Sequence, residues 1–206
     1  MKSIFLIGDS ISLYYHKYLK EILNDEAYYS RKGNEDEIKS ALNTPNNPYG
    51  ANGGDSELVV SYMESMVEND KKYDLLLVNC GLHDIRVDRE TLKRQIDEEK
   101  YKENIEKIVE LALKISNKLI WINTTHVNNV IHNNRKYGYL RFNEDVIKYN
   151  EIAKEIMQKN NIEIIDLYYF TKNIENDNMY RDHVHFKENI SKKQAKYIYD
   201  NIKKYI

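Results

Sequence analysis

The chain has 206 residues, with 31 Lys plus Arg against 33 Asp plus Glu and a formal net charge of −2. That near-balance gives no electrostatic case for nucleic acid as a partner, and a lone cysteine, Cys80, excludes an internal disulfide and a Cys-based metal cluster. No run of about 18 apolar residues occurs, so no membrane span is expected, and the length suits one domain, residues 1–206, burying roughly 70% of its unfolded surface.

Residues 4–7 (Ile4-Phe5-Leu6-Ile7) form a short apolar run. It falls below the roughly 7–15 residues of a secretion signal, so it reads as a first strand of a protein expected in the cytoplasm. After Gly8-Asp9-Ser10, the apolar positions Ile11, Tyr14, Tyr15, Tyr18, Leu19 and Ile22 recur at helical spacing. Residues 27–56 are polar, contain both prolines and four of the seven glycines, and read as a long loop with room for one short strand. Residues 58–67 are helical, and 75–78 form a buried-strand run that ends at Asn79-Cys80-Gly81. A helix is expected over 101–115 and a strand over 119–122, followed by Asn123-Thr124-Thr125-His126. Residues 128–144 read as a second long loop, 146–157 as a helix, 162–165 as a strand and 190–206 as a closing helix. Strand runs separated by helices of 10–15 residues predict βαβ units around a parallel sheet of about five strands, an α/β fold. Ligands of such sheets gather beyond the carboxyl ends of the strands, where Ser10, Gly81–Asp84 and Thr124–His126 fall.

Ser10 has two readings. It can cap the helix it opens, or it can be a nucleophile on a tight strand-to-helix turn. A nucleophile needs a base, and the base needs an orienting group. Asp182-His183-Val184-His185 supplies both, because Asp and His three apart can share one side of a turn. The carboxylate would accept a hydrogen bond from His185 Nδ1–H and leave Nε2 to take the Ser10 proton. A metal site from Asp182, His183 and His185 with His83 or His126 lacks a His-x-x-x-His helix or a Cys pair. Gly53-Gly54 and Gly81-Leu82-His83-Asp84 offer N–H groups that, with the Ser10 amide, could bind a developing oxyanion.

These four blocks, Gly8-Asp9-Ser10, Gly54-Asp55-Ser56, Gly81-x-His83-Asp84 and Asp182-x-x-His185, in this order resemble the SGNH/GDSL hydrolase superfamily. The resemblance spans nearly the whole chain. It implies a flavodoxin-like three-layer α/β/α sandwich, Ser10 as nucleophile, His185 as base and Asp182 as its orienter. It also implies an oxyanion hole of the Ser10 and Gly54 amides with the third-block side chain, and neither cofactor nor metal. The family's third block usually carries Asn where this chain has His83; a neutral imidazole can still donate from one nitrogen. Asp9 and Asp84 are read as structural, His126 as a residue of the substrate pocket, and Cys80 as a buried small hydrophobe.

The activity expected is serine-dependent ester hydrolysis through an acyl-enzyme. The two long loops carry Tyr28, Tyr29, Tyr49, Tyr137 and Tyr139 with Arg31, Arg135 and Arg141, and are expected to frame the pocket. That chemistry favours a small-molecule or glycan ester with a short acyl group, such as a sugar acetate, over a long-chain lipid. An acyltransferase using the same relay toward a sugar hydroxyl, and a glycan-binding module without turnover, stand as alternatives.

Overall fold

The computed structural model describes all residues except 46, 137 and 175–177, so the expected pocket residue Tyr137 lies outside the described residues. Strands β1 (Lys2–Ile7), β2 (Ala27–Arg31), β3 (Tyr73–Val78), β4 (Ser116–Ile122) and β5 (Glu163–Ile165) form one parallel sheet in the order β2-β1-β3-β4-β5. Register pairs Ile4 with Leu75, Leu76 with Leu119 and Ile120 with Glu163. Leu75, Leu76, Leu77 and Val78 are all buried, as expected of a strand covered on both faces. Each such side chain contributes about 1.5–3 kcal/mol by leaving water.

Helices α1 (Ser10–Leu23), α2 (Glu35–Asn43), α3 (Ser56–Glu68), α4 (Glu98–Ile115), α5 (Asn129–Asn133), α6 (Asn143–Lys159), α7 (Leu167–Lys172) and α8 (Glu188–Ile202) complete the described regular structure, with a 3₁₀ turn at Lys203–Tyr205. Helix α1 packs against α8, while α3, α4 and α6 pack in succession, which gives the layered α/β arrangement. Strand order reverses direction at β1 and β3, and the crevice beyond their carboxyl ends is where such sheets hold ligands.

Three helices lie where the apolar pattern gave none. Helix α2 crosses the first expected loop, started by a capping box in which Asn34 accepts from the Asp36 and Glu37 amides and Glu37 reaches back to the Asn34 amide. It buries only Ile38 and Ala41, against Leu13 and Ala51, so its apolar stripe is thin. Helix α5 is capped by Asn128 within the second expected loop, and α7 is capped by Asp166 directly after β5. Both are too short to show a period. The room left for a strand is filled by β2. The closing helix ends at Ile202, four residues before the expected terminus.

Arg31 is also not a pocket residue. It is buried, and its Nη2 donates to Ser12 Oγ at 3.1 Å and to the Ala51 carbonyl at 2.9 Å, which ties the first loop to α1. Tyr28 and Tyr49 are exposed, and Tyr29 bonds His16.

Candidate active site

Gly8 ends β1 and Asp9 caps α1: its Oδ1 accepts from the Ile11 amide at 2.9 Å. The capping reading of Ser10 is therefore replaced. Asp9 holds the helix start, and Ser10 is the first helical residue with its hydroxyl left for other work. The second Gly-Asp-Ser, at 54–56, repeats the design, with Asp55 capping α3. The Gly53 amide donates to the Gly8 carbonyl at 2.9 Å, which docks this second turn beside the first.

The residues expected from the fourth block meet Ser10 there. His185 Nε2 lies 2.8 Å from Ser10 Oγ, and His185 Nδ1 lies 2.7 Å from Asp182 Oδ2. Asp182 Oδ1 accepts from the Val184 and His185 amides at 2.9 and 2.8 Å, so the same carboxylate shapes the turn that presents the ring. Burial would raise the Asp182 pKa, but these bonds and the facing imidazole outweigh it and hold the carboxyl below its ordinary value. The carboxylate thus fixes the hydrogen of neutral His185 on Nδ1 and leaves a lone pair facing Ser10. The Tyr14 ring lies 5.0 Å from the His185 ring, tilted by 54°, and the Arg181 guanidinium lies 4.6 Å from the Tyr14 ring centre. Together with Leu13, Lys17 and Phe186 these two line a cavity of about 320 Å³. Sequence reading left Tyr14 in a helical stripe and missed its place beside His185.

Asp84 Oδ1 accepts from the Ser56 amide at 2.9 Å, joining the second and third blocks. Burial pushes its pKa up to about 7. Gly81 has a φ of +147°, and a Cβ there would meet Thr124 Oγ1 at 2.4 Å, so only glycine fits between the loops after β3 and β4. His83 is buried, and its Nδ1 has no hydrogen-bond partner. Burial, with the charges of Arg86 and Arg141, holds its pKa well below the ordinary value and the ring neutral. Gly54 sits at φ +75°, and its amide donates to Asn52 Oδ1 at 3.0 Å, an internal acceptor that sequence reading did not anticipate. Cys80 is buried, and burial drives its thiol pKa well up, as suits an inert hydrophobe.

His126 stands apart from these groups. Its ring meets Tyr168, Tyr180 and Phe186, and it lines a cavity of about 310 Å³ that includes none of Ser10, Asp182 and His185. Among the described residues, no group of three or more His, Cys, Asp or Glu is arranged to hold a metal ion. No helix among them is long and apolar enough to cross a membrane.

The model of the GDSL-like lipase/acylhydrolase family matches residues 4–198. The chain belongs to this family. Its fold is shared with a lipase/acylhydrolase from Enterococcus faecalis, at 18% identity and a TM-score of 0.73 over 99% of this chain and 96% of that one. An acetylxylan esterase from Geobacillus stearothermophilus aligns at 14% identity and a TM-score of 0.68, covering 98% and 94% of the two chains. A psychrotrophic esterase from Pseudoalteromonas sp. aligns at 15% and 0.67, covering 100% and 98%. No curated protein matches the chain in sequence.

The histidines of this GDSL-family chain give a prediction of their own. Burial, helped by Arg31 and Lys20, lowers the His16 pKa to about 3, and burial with Arg141 and Arg135 lowers that of His132 to about 2. Folded pKa values below the unfolded value of about 6.5 mean that the unfolded chain binds more protons. The stability these neutral rings carry is complete above pH 6.5 and is lost as pH falls toward 3. These two rings alone should cost about 3 kcal/mol per pH unit between pH 6 and 4, and His83, His126 and His183, lowered by burial as well, add to that loss. Urea titrations at pH 6, 5 and 4 should show at least that slope, and His16→Gln should reduce it by about 1.4 kcal/mol per unit.

Proposed function

We propose that the chain is a serine esterase that removes a short acyl group, such as acetyl, from a small or carbohydrate-linked ester. The observation that carries this is the continuous line Asp182 Oδ2, His185 Nδ1, His185 Nε2, Ser10 Oγ at 2.7 and 2.8 Å. His185 Nε2 takes the Ser10 proton as Oγ attacks the ester carbonyl. The tetrahedral oxyanion is received by the Ser10 and Gly54 amides and the His83 Nε2 hydrogen. Placing the hydrogen there leaves only an acceptor lone pair buried at Nδ1. The Gly54 amide shares or releases Asn52 as charge develops on the oxyanion. Collapse expels the alkoxide, which takes the proton from His185. Water then enters, His185 removes its proton, and the acyl-enzyme is hydrolysed, restoring Ser10. The polar loops around the crevice, and the acetylxylan esterase among the fold's relatives, support a sugar acetate as substrate.

A chromogenic acetate ester tests the reading, together with a fluorophosphonate that should label Ser10 alone. Turnover should persist in excess EDTA. Labelling at another residue would sink the serine mechanism. Loss of activity in EDTA with recovery in zinc would transfer Asp182, His183 and His185 to a metal site.

A further inference from the structure

The turn that carries the base also carries His183, and its surroundings are not used by the relay. Arg135 Nη2 lies 2.8 Å from His132 Nε2. A guanidinium only donates, so His132 Nε2 accepts and the hydrogen of this neutral ring sits on Nδ1. His132 Nδ1 lies 3.0 Å from His183 Nδ1, which must accept in turn. The His183 hydrogen is thereby placed on Nε2. His183 Nε2 and Arg135 Nη1 face each other at 3.4 Å, two donors with no acceptor between them. Arg135 is held in this pose by donating to the His132 and Tyr139 carbonyls, both at 2.8 Å.

Charge agrees with the donor count. Arg135, Arg141 and Arg86 surround the Tyr139 ring at 5.2, 4.7 and 4.3 Å. Arg141 is buried, and its Nη1 has no hydrogen-bond partner. Neither Arg135 nor Arg141 has a carboxylate within 4 Å among the described residues. In a chain of net charge −2, Arg135 and Arg141 make the side of the fold next to His183 locally positive.

Position says which part of a substrate meets it. The His183 and His185 rings are 6.2 Å apart. The proposed esterase reading, on which this inference rests, has the leaving alkoxide protonated by His185. The alcohol part therefore lies on the His185 side of the scissile bond. We propose that the Arg135–His183 donor pair, oriented through His132, binds an anionic group on the alcohol part of the substrate, a carboxylate such as that of an acidic sugar. A carboxylate accepts only, and charge-assisted bonds from a fixed guanidinium and an imidazole are the strong kind. The arrangement would prefer an O-acetylated acidic sugar to its neutral counterpart.

Binding to Ser10→Ala protein tests this without turnover. The probes are O-acetylated methyl glucoside, the matching methyl glucuronoside, and the 6-sulfated glucoside, measured by calorimetry. The glucuronoside should bind at least tenfold more tightly than the glucoside. Adding Arg135→Gln or His183→Ala should bring that ratio near one, whereas His183→Gln, which keeps an N–H donor, should retain more of it. His183 is partly exposed, so its variants read the subsite even where Arg135→Gln disturbs the loop. A preference for the sulfated probe alone would keep the anion subsite and replace the carboxylate with sulfate. A ratio near one in the parent, or one unmoved by either truncation, would overturn the proposal. Turnover of the acetate ester by the wild type is read separately, so failure of the esterase reading leaves these affinities interpretable.

Discussion

Ser10→Ala is expected to lower kcat for an acetate ester by roughly 10⁶-fold while the protein stays folded. The hydroxyl is the only group lost, and α1 keeps its cap because Asp9, not Ser10, holds the first-turn amides. Thermal unfolding should therefore coincide with that of the wild type. His185→Ala should cost about as much, and the double variant little more, since hydroxyl and imidazole act as one unit. Asp182→Ala should cost less, roughly 10⁴-fold, because the carboxylate orients the ring without exchanging a proton. It should also loosen the turn, since its Oδ1 holds the Val184 and His185 amides. Asp182→Asn separates the two effects: it keeps an acceptor for the amides and removes the charge facing the ring. Activity in Ser10→Ala within tenfold of wild type would reject the nucleophile.

His83→Ala carries the second large effect, a loss in kcat of roughly 10²–10³, or about 2.7–4 kcal/mol. KM should change little, because the donor matters only as charge develops on the carbonyl oxygen. The ring is buried, so its removal also leaves a void, and the unfolding free energy must be measured alongside. His83→Asn restores the donor usual in the family and should keep more activity than His83→Ala at similar stability. Equal activity of both variants near the wild-type level would remove His83 from the hole and leave the Ser10 and Gly54 amides. Equal loss in both would demand something an amide cannot do, such as contact with the substrate through the ring.

Strands β1, β3 and β4 and the long helices were legible in the chain because each buries an apolar face. Residues 75–78 and 101–115 carry their apolar pattern without help from distant residues. Helix α2 was not legible by period, yet Asn34 and Glu37 spelled its capping box, a signal that local hydrogen bonding leaves even where burial is slight. The candidate site was legible as four ordered blocks, since glycine at a positive φ and aspartate at a cap are backbone requirements written directly in residue type. The bond from Gly54 to Asn52 and the meeting of His132 with His183 were not. Those residues come together through loop paths, and no spacing within either segment encodes the encounter.

The distance along the chain between Ser10 and His185 has a kinetic meaning. Ser10 and His185 are 175 residues apart, and they meet only when α8, just after His185, is docked on α1, just after Gly8. Closing so long a loop is entropically late in folding, after strand pairs and neighbouring helices have formed. A partly folded chain with its sheet complete and α8 still loose would have a correct Ser10 turn and no base. Esterase turnover would then work as a clock for the final docking step. In refolding it should lag the far-ultraviolet signal of the helices, and on heating it should vanish with the first opening of α8 from α1, before the sheet itself comes apart.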